Sequence, residues 1–192
     1  MDTLTKLIST IEIAIRYLLT GTVISAVATL STNEYQGLTN WAVTNELVAA
    51  AAITAVGFAS FTFYRLALWI VMDAIAWKLR WSVPSLLHTN GITYDEPYAF
   101  FLKWRYSGAI NHELSGYLAF RWAAAHFVSI SGLALFIASL LNQEASFLSA
   151  HAILARVLGF IFLILGLWQC AFLYRVERNL YRSLPQPQVQ KQ

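Results

Sequence analysis

The stretch VLGFIFLILGLWQCAFLY, residues 157–174, sets the class of this protein because it contains no charged side chain. An apolar run of about 18 residues or more is long enough to cross the hydrocarbon core of a bilayer as a helix. Three more apolar stretches precede it, and we predict four membrane spans, at about 14–30, 43–64, 122–142 and 150–174. The predicted fold class is therefore an all-α polytopic membrane protein, with residues 1–192 forming a single membrane domain.

The composition argues against a soluble domain. Apolar residues make up 58% of the chain and charged residues 12%, about half the charged share of an average globular protein. The net charge of +3 is what a membrane protein with basic flanking loops carries, and we expect no direct binding of nucleic acid. The one cysteine, Cys170, lies within the last predicted span, so the chain has neither a disulfide framework nor a thiol pair for redox chemistry.

The basic residues are distributed asymmetrically about the predicted spans. The connectors between spans one and two and between spans three and four contain no lysine or arginine. All the basic residues except Arg156 lie in or beside the other segments: Lys6, Arg16, Arg65, Lys78, Arg80, Lys103, Arg105, Arg121, Arg175, Arg178, Arg182 and Lys191. Because basic loops stay in the cytoplasm, we predict that both termini are cytoplasmic, in a bacterial inner (plasma) membrane.

The segment between the second and third spans, residues 73–120, is rich in aromatic and basic side chains. We expect one or two cytoplasmic or interfacial helices here: Pro84 is expected to end a helix, and Asp95-Glu96-Pro97 to begin one that reaches about residue 106. The chain is expected to end in a mobile tail, residues 183–192, which is rich in proline and glutamine.

Three functions suit this aromatic and basic segment: a collar lying in the lipid headgroups, a docking surface for a cytoplasmic protein, and a site for a nucleotide or other small ligand. The residues expected to form a docking surface are Trp77, Arg80, Trp81, Tyr98, Lys103, Trp104 and Arg105.

Polar and small residues within the spans give further candidates. Ala51, Ala55 and Ala59 recur at every fourth position, a spacing that lets two helices approach closely in lipid, and we expect a homo-oligomer through this face. Glu46 and Arg156 are expected at similar depth. Arg156 could therefore pair with Glu46, extend outward to the headgroups, or bind an anion.

No constellation of residues indicates catalysis. The four histidines are predicted to lie at different depths and lack the spacing of a metal-binding helix, so we expect no metal and no cofactor. No nucleophile accompanies an acid–base pair, and we do not expect an enzyme.

The leading hypothesis is a small integral membrane subunit, an anchor or sensor that docks a cytoplasmic partner protein within a larger assembly. Bacterial membrane-associated systems, including defence systems with a small polytopic subunit, are assemblies of this kind, although no motif selects one. The alternative is an oligomeric channel or pore-forming effector. A pore requires a polar stripe along a helix, and Ser129, Ser131 and Ser139 with His126 come closest to one.

Overall fold

The computed structural model describes residues 7, 10–88, 99, 101, 112–142, 144 and 146–183. The described part of the chain is helical and contains no strand. Its helices are α1 (Thr10–Leu30), α2 (Tyr35–Thr44), α3 (Glu46–Lys78), α4 (Val83–His88), α5 (His112–Leu141), α6 (Phe147–Ala150) and α7 (Ala152–Ser183).

Four of these helices, α1, α3, α5 and α7, are long and apolar enough to cross a membrane. The four predicted apolar helices are thus confirmed, and the chain is consistent with an integral membrane protein. Many large apolar side chains point away from the protein, including Leu47, which is 88% exposed, and Ile153, which is 79% exposed. Such exposure suits contact with lipid, since a soluble domain rarely leaves long apolar faces uncovered.

Helix α3 ends earlier than the proline predicts. It stops at Lys78, and the N–H of Trp81 donates to the carbonyl oxygen of Ala76 while that of Arg80 donates to Trp77. These two bonds form a Schellman cap, whose first residue beyond the helix adopts the left-handed conformation. Arg80 occupies that position with φ 56°, where glycine is usual. Pro84 instead lies in the first turn of α4, where its missing N–H is tolerated.

Helices α1 and α3 form the first hairpin and cross at two glycines. A methyl group on Gly57 would overlap the carbonyl oxygen of Tyr17 and lie 2.8 Å from the backbone nitrogen of Gly21. A methyl group on Gly21 would meet the backbone of Ile53 in the same way. The backbones are therefore in direct contact, the close approach that small residues allow between helices in lipid.

Helices α5 and α7 form the second hairpin and share the most extensive contact in the protein. Gly132 and Gly159 face each other at their crossing, and a methyl group on Gly159 would lie 2.6 Å from the backbone nitrogen of Phe136. A methyl group on Gly166 would lie 2.6 Å from the nitrogen of Ser129. Helix α1 packs between α3 and α5 and so joins the two hairpins.

Candidate functional site

The candidate site lies at one end of the bundle, which we call the basic end. It is the end at which α1 and α5 begin and α3 and α7 finish, and it carries Arg16, Arg65, Arg121 and Arg175, one on each spanning helix. At this end, the ring of Trp69 on α3 contacts Trp122 on α5 and Tyr174 on α7. The opposite end, with α2, α6 and the two connectors, is the connector end.

Aromatic rings from three helices meet at the basic end and form what we call the aromatic cluster: Trp69, Trp122, His126 and Tyr174. The ring of Trp69 stacks on Tyr174 with centroids 5.5 Å apart and meets Trp122 edge-on at 5.2 Å. Trp122 also contacts Tyr174 edge-on at 5.0 Å. Aromatic pairs at these distances stabilise a fold beyond the burial of their area, so the cluster ties α3, α5 and α7 together.

Two carboxylates reach the cluster and bind neutral donors. The indole Nε1 of Trp122 donates to Oε1 of Glu177 at 2.8 Å in a buried contact. The hydroxyl of Tyr174 donates to Oδ1 of Asp73, which joins α7 to α3. Each carboxylate is thus held by a ring of the aromatic cluster, and breaking either bond would remove a hydrogen bond from a buried or half-buried acceptor.

His126 is the most enclosed polar side chain of the cluster. It is 2% exposed, its ring stacks on Trp122 at 5.7 Å, and it meets the rings of Trp69, Tyr64 and Phe61 edge-on at 4.5 to 5.8 Å. Its Nδ1 is buried without a hydrogen-bond partner in the described part of the chain. The imidazole therefore serves as a packing ring between α3 and α5.

Two arginines of α7 hold the chain that follows α3. Arg178 donates from Nη1 to the carbonyl oxygen of Arg80 at 3.0 Å, and the guanidinium of Arg175 lies over the ring of Trp81 at 5.2 Å. Trp81 packs in turn against the hydrophobic core that contains Trp122 and Tyr174. The strained backbone at Arg80 is thus fixed from a second helix, while its side chain stays exposed.

The structure brings together only part of the predicted docking surface. Trp77 and Trp81 are half-buried and Arg80 is exposed, and all three lie within six residues at the end of α3. The other four residues of that prediction, Tyr98, Lys103, Trp104 and Arg105, lie outside the described residues, as does the predicted helix at residues 97–106 apart from isolated positions.

The remaining arginines of the basic end also lie over aromatic rings. Arg65 lies 5.7 Å from the ring centre of Trp69, and Arg121 lies 5.8 Å from that of Tyr117. Arg121 also donates to the hydroxyl of Tyr117 at 3.0 Å and to Oε1 of Gln169 at 3.2 Å. Arg16 likewise lies 5.6 Å from the ring centre of Phe61, and it also forms the ion pair with Glu12 that the four-residue spacing favours.

The alanine face of α3 is exposed. Ala51, Ala55 and Ala59 point away from α1, whose contact uses the opposite side of α3, around Ile53 and Gly57. Beside this face lies an open groove of about 600 Å³, lined by Tyr17, Ala50, Ala51, Thr54, Ala55 and Phe58. The face is therefore available to another molecule, and homo-oligomer formation through it stays a prediction.

The structure does not bring Glu46 and Arg156 together. Arg156 donates from Nη2 to the carbonyl oxygen of Ser139 on α5, at 3.4 Å. Glu46, the first residue of α3, is exposed, and among the described residues no ion pair joins it to Arg156. Arg156 is itself exposed at the connector end, a position from which it can reach lipid headgroups.

The serines that a pore would need do not line a channel in the single chain. Ser129 and Ser139 are buried, and each donates to a carbonyl oxygen of its own helix, that of Ala125 and that of Phe136. Ser129 also packs against Gly166 at the α5–α7 crossing. These two hydroxyl groups are therefore used in hydrogen bonds within α5 and do not line a polar path through the bundle.

Sequence reasoning missed Asp73, Glu177 and the enclosure of His126. A signal was present, because each lies three or four residues from an aromatic partner of the cluster: Trp69 and Asp73, Trp122 and His126, Tyr174 and Glu177. That spacing places each pair on one helix face. Comparison with protein-family models, with curated proteins and with solved structures finds no match to this chain.

Proposed function

We propose that this protein is a small integral membrane subunit, an anchor or sensor, that docks a cytoplasmic partner protein on its basic end. One observation carries the proposal: three of the spanning helices are much longer than a bilayer needs. Helices α3, α5 and α7 contain 33, 30 and 32 residues, against about 20 for a helix that crosses the hydrocarbon core. At ~1.5 Å per residue, α3 continues roughly 20 Å beyond Arg65, α5 begins roughly 14 Å before Arg121, and α7 continues roughly 12 Å beyond Arg175, all at the basic end.

The extended ends have a core of their own, which favours a fixed platform over a loose linker. Ala76, which is 1% exposed near the end of α3, packs in one core cluster with Trp122 and Tyr174, and Leu118 and Val83 are each 1% exposed. On the outside of this platform, Ile70 and Val71 remain 61% and 54% exposed, beyond the length of α3 that the bilayer requires. Exposed apolar residues on a rigid, basic surface are typical of protein–protein contact sites.

The conformation of Arg80 supports the same proposal. A residue other than glycine in the left-handed region costs about 1–2 kcal/mol, and such strain is found most often at functional sites. Here Arg178 fixes the backbone of Arg80 while the Arg80 side chain stays exposed. The arrangement presents a cationic side chain on a rigid support, which lowers the entropy that a partner must overcome on binding.

The channel alternative has weaker support. Within the described part of the chain, both hairpins close through backbone contact at glycines, and Ser129 and Ser139 of α5 donate to carbonyl oxygens of their own helix. A pore would then have to form between copies of the chain, from faces that are mostly apolar.

The proposal is tested by copurification of a partner from membranes of the source cell with tagged protein. Trp77→Ala and Arg80→Gly should each reduce recovery of the partner severalfold. The matched controls, Trp41→Ala and Arg156→Ala, change exposed residues at the connector end and should leave recovery unchanged. Because glycine relieves the strained backbone, Arg80→Gly should not unfold the protein. Unchanged recovery with both basic-end variants, or equal loss with the controls, would contradict the proposal.

The orientation is part of the proposal and has its own measurement. If both termini are cytoplasmic, a protease added to inverted inner-membrane vesicles removes a tag placed after Gln192, and the same protease added to intact spheroplasts leaves the tag in place. The reverse result would place the basic end outside the cytoplasm.

A further inference from the structure

We infer that Arg65 and Arg121 bind the phosphate groups of anionic phospholipids at the basic end of the bundle. This inference is independent of the proposed partner, because it concerns the flanks of the spanning helices and uses neither Trp77 nor Arg80.

The two arginines lie at the depth of lipid headgroups. From Glu46 to Arg65 along α3 is roughly 28 Å, and from Arg121 to Leu141 along α5 is roughly 30 Å, at ~1.5 Å per residue. Both lengths match the ~30 Å thickness of the hydrocarbon core. With Leu141 at one boundary of that core, Arg121 is at the other. The contacts of Tyr64 and Trp69 with His126 place the backbone of Arg65 about one turn farther into the bundle, from where its long side chain can extend to the same boundary.

Aromatic rings orient both guanidinium groups. Arg65 lies over Trp69, and Arg121 lies over Tyr117 while the Tyr117 hydroxyl and Gln169 accept two of its five donors. A guanidinium placed on a ring has its N–H donors directed outward in one plane, an arrangement that suits the oxygens of a phosphate. These contacts therefore prepare the donors before a ligand arrives.

Neither arginine forms a salt bridge within the described part of the chain, and only Arg65 has a carboxylate, that of Asp73, close enough for a longer-range electrostatic interaction. Among the residues that the structure describes, no carboxylate lies within salt-bridge distance of Arg65 or Arg121, in contrast to Arg16 with Glu12. Asp73 and Glu177, on the same extended helices, accept hydrogen bonds from Tyr174 and Trp122. Two positive charges thus remain at the depth where lipid phosphates lie.

The surroundings favour a lipid over a free anion. Phe63, two residues before Arg65 and on its bilayer side, is 73% exposed, and Trp168, next to Gln169, is 65% exposed. A phospholipid can place its phosphate on the arginine and its acyl chains on these apolar side chains at the same time. A soluble phosphate would gain only the first contact. Arg65 is exposed and Arg121 is half-buried, so a ligand can reach both.

The experiment measures lipid preference by tryptophan fluorescence. Full-length protein is reconstituted in phosphatidylcholine vesicles that contain a rising fraction of phosphatidylglycerol with brominated acyl chains, which quench tryptophan fluorescence. The measurement is then repeated with the bromine on the phosphatidylcholine. Comparison of the two quenching curves gives the binding constant of phosphatidylglycerol relative to that of phosphatidylcholine. We expect wild-type protein to prefer phosphatidylglycerol. Because one arginine near an anionic surface contributes about a fivefold preference, Arg65→Gln and Arg121→Gln should each lower the relative binding constant by up to about fivefold.

Controls separate this reading from others. Arg156→Gln removes an exposed arginine at the connector end and should leave the preference unchanged. The double variant Arg65→Lys and Arg121→Lys keeps both charges and provides a folded comparison if glutamine destabilises the protein. Its preference for phosphatidylglycerol should lie between those of wild type and the double glutamine variant, because lysine lacks the planar fork of arginine. An unchanged preference in the double glutamine variant would overturn the inference, as would loss of the wild-type preference on addition of millimolar inorganic phosphate at constant ionic strength.

Discussion

Replacing Gly57 with alanine should separate the two helices of the first hairpin. The new methyl group would overlap the Tyr17 carbonyl oxygen and lie 2.8 Å from the nitrogen of Gly21, against the 3.4 Å at which ordinary contact begins. Both obstacles are backbone atoms, so no side-chain rotation relieves them. Helices α1 and α3 must therefore move apart by at least about 0.6 Å, and by more to clear the Tyr17 oxygen.

The magnitude follows from the loss of packing along this crossing. Inserting a methyl group into a well-packed core costs about 1–3 kcal/mol, and we expect a value near the upper limit because the backbone cannot yield locally. Alanine also gains up to about 1 kcal/mol of helix propensity over glycine. Gly37→Ala, on the exposed helix α2, gains the same propensity and meets no atom within 4 Å, so it is the matched control.

The assay is reversible unfolding in mixed detergent micelles, followed by tryptophan fluorescence and circular dichroism. We expect the free energy of unfolding of Gly57→Ala to lie about 3 kcal/mol below that of Gly37→Ala. Gly21→Ala should have a similar effect, and the double variant should cost less than the sum because one displacement accommodates both methyl groups. A difference under about 0.5 kcal/mol between Gly57→Ala and Gly37→Ala would show that α1 and α3 do not cross at Gly57.

The same unfolding assay tests two residues of the aromatic cluster. Trp122→Phe removes the indole N–H that donates to Glu177 and should lower the free energy of unfolding by about 1–3 kcal/mol. An unchanged free energy of unfolding would show that this hydrogen bond does not stabilise the fold. His126→Phe keeps a packing ring and removes a buried nitrogen that has no partner among the described residues, so the free energy of unfolding should stay the same or rise by about 1 kcal/mol. A clear decrease in that free energy would mean that the imidazole forms a stabilising hydrogen bond. Self-association is tested by thiol cross-linking in membranes, where Ala55→Cys should give dimers and Val56→Cys, about 100° round the helix, should give few. Equal yields from the two cysteines would contradict association through the alanine face.

The four spanning helices were predictable from sequence because the bilayer imposes a local requirement. A run such as residues 157–174 must be apolar and uninterrupted to cross, whatever its neighbours are. The end of α3 was not predictable in the same way. Pro84 is the strongest local signal for a helix end, but the helix ends before it, at a cap built on Arg80, and arginine gives no indication of a left-handed backbone.

The candidate site was less predictable because it depends on which helices become neighbours. Glu46 and Arg156 suit each other in charge and depth, but Arg156 packs on α5 and donates to Ser139. Ala55 and Gly57 are both small residues, so the sequence of α3 alone does not show which of them lies at a helix crossing. The crossing is at Gly57 because Gly21 of α1 lies against it. The charge asymmetry, in contrast, was readable from the sequence, and the end of the bundle that it indicates is the end at which the structure places the aromatic cluster.

The glycine crossings have a consequence for how the molecule is made. Each joins two long apolar helices that follow one another in the chain with only a short helix between them, so each hairpin can close as soon as its second long helix has entered the bilayer. The aromatic cluster needs α3 from the first hairpin and both helices of the second, so it forms only after the last helix is synthesised. A partner of the proposed kind, if it recognised the platform around this cluster, would bind only molecules in which all four long helices had been inserted.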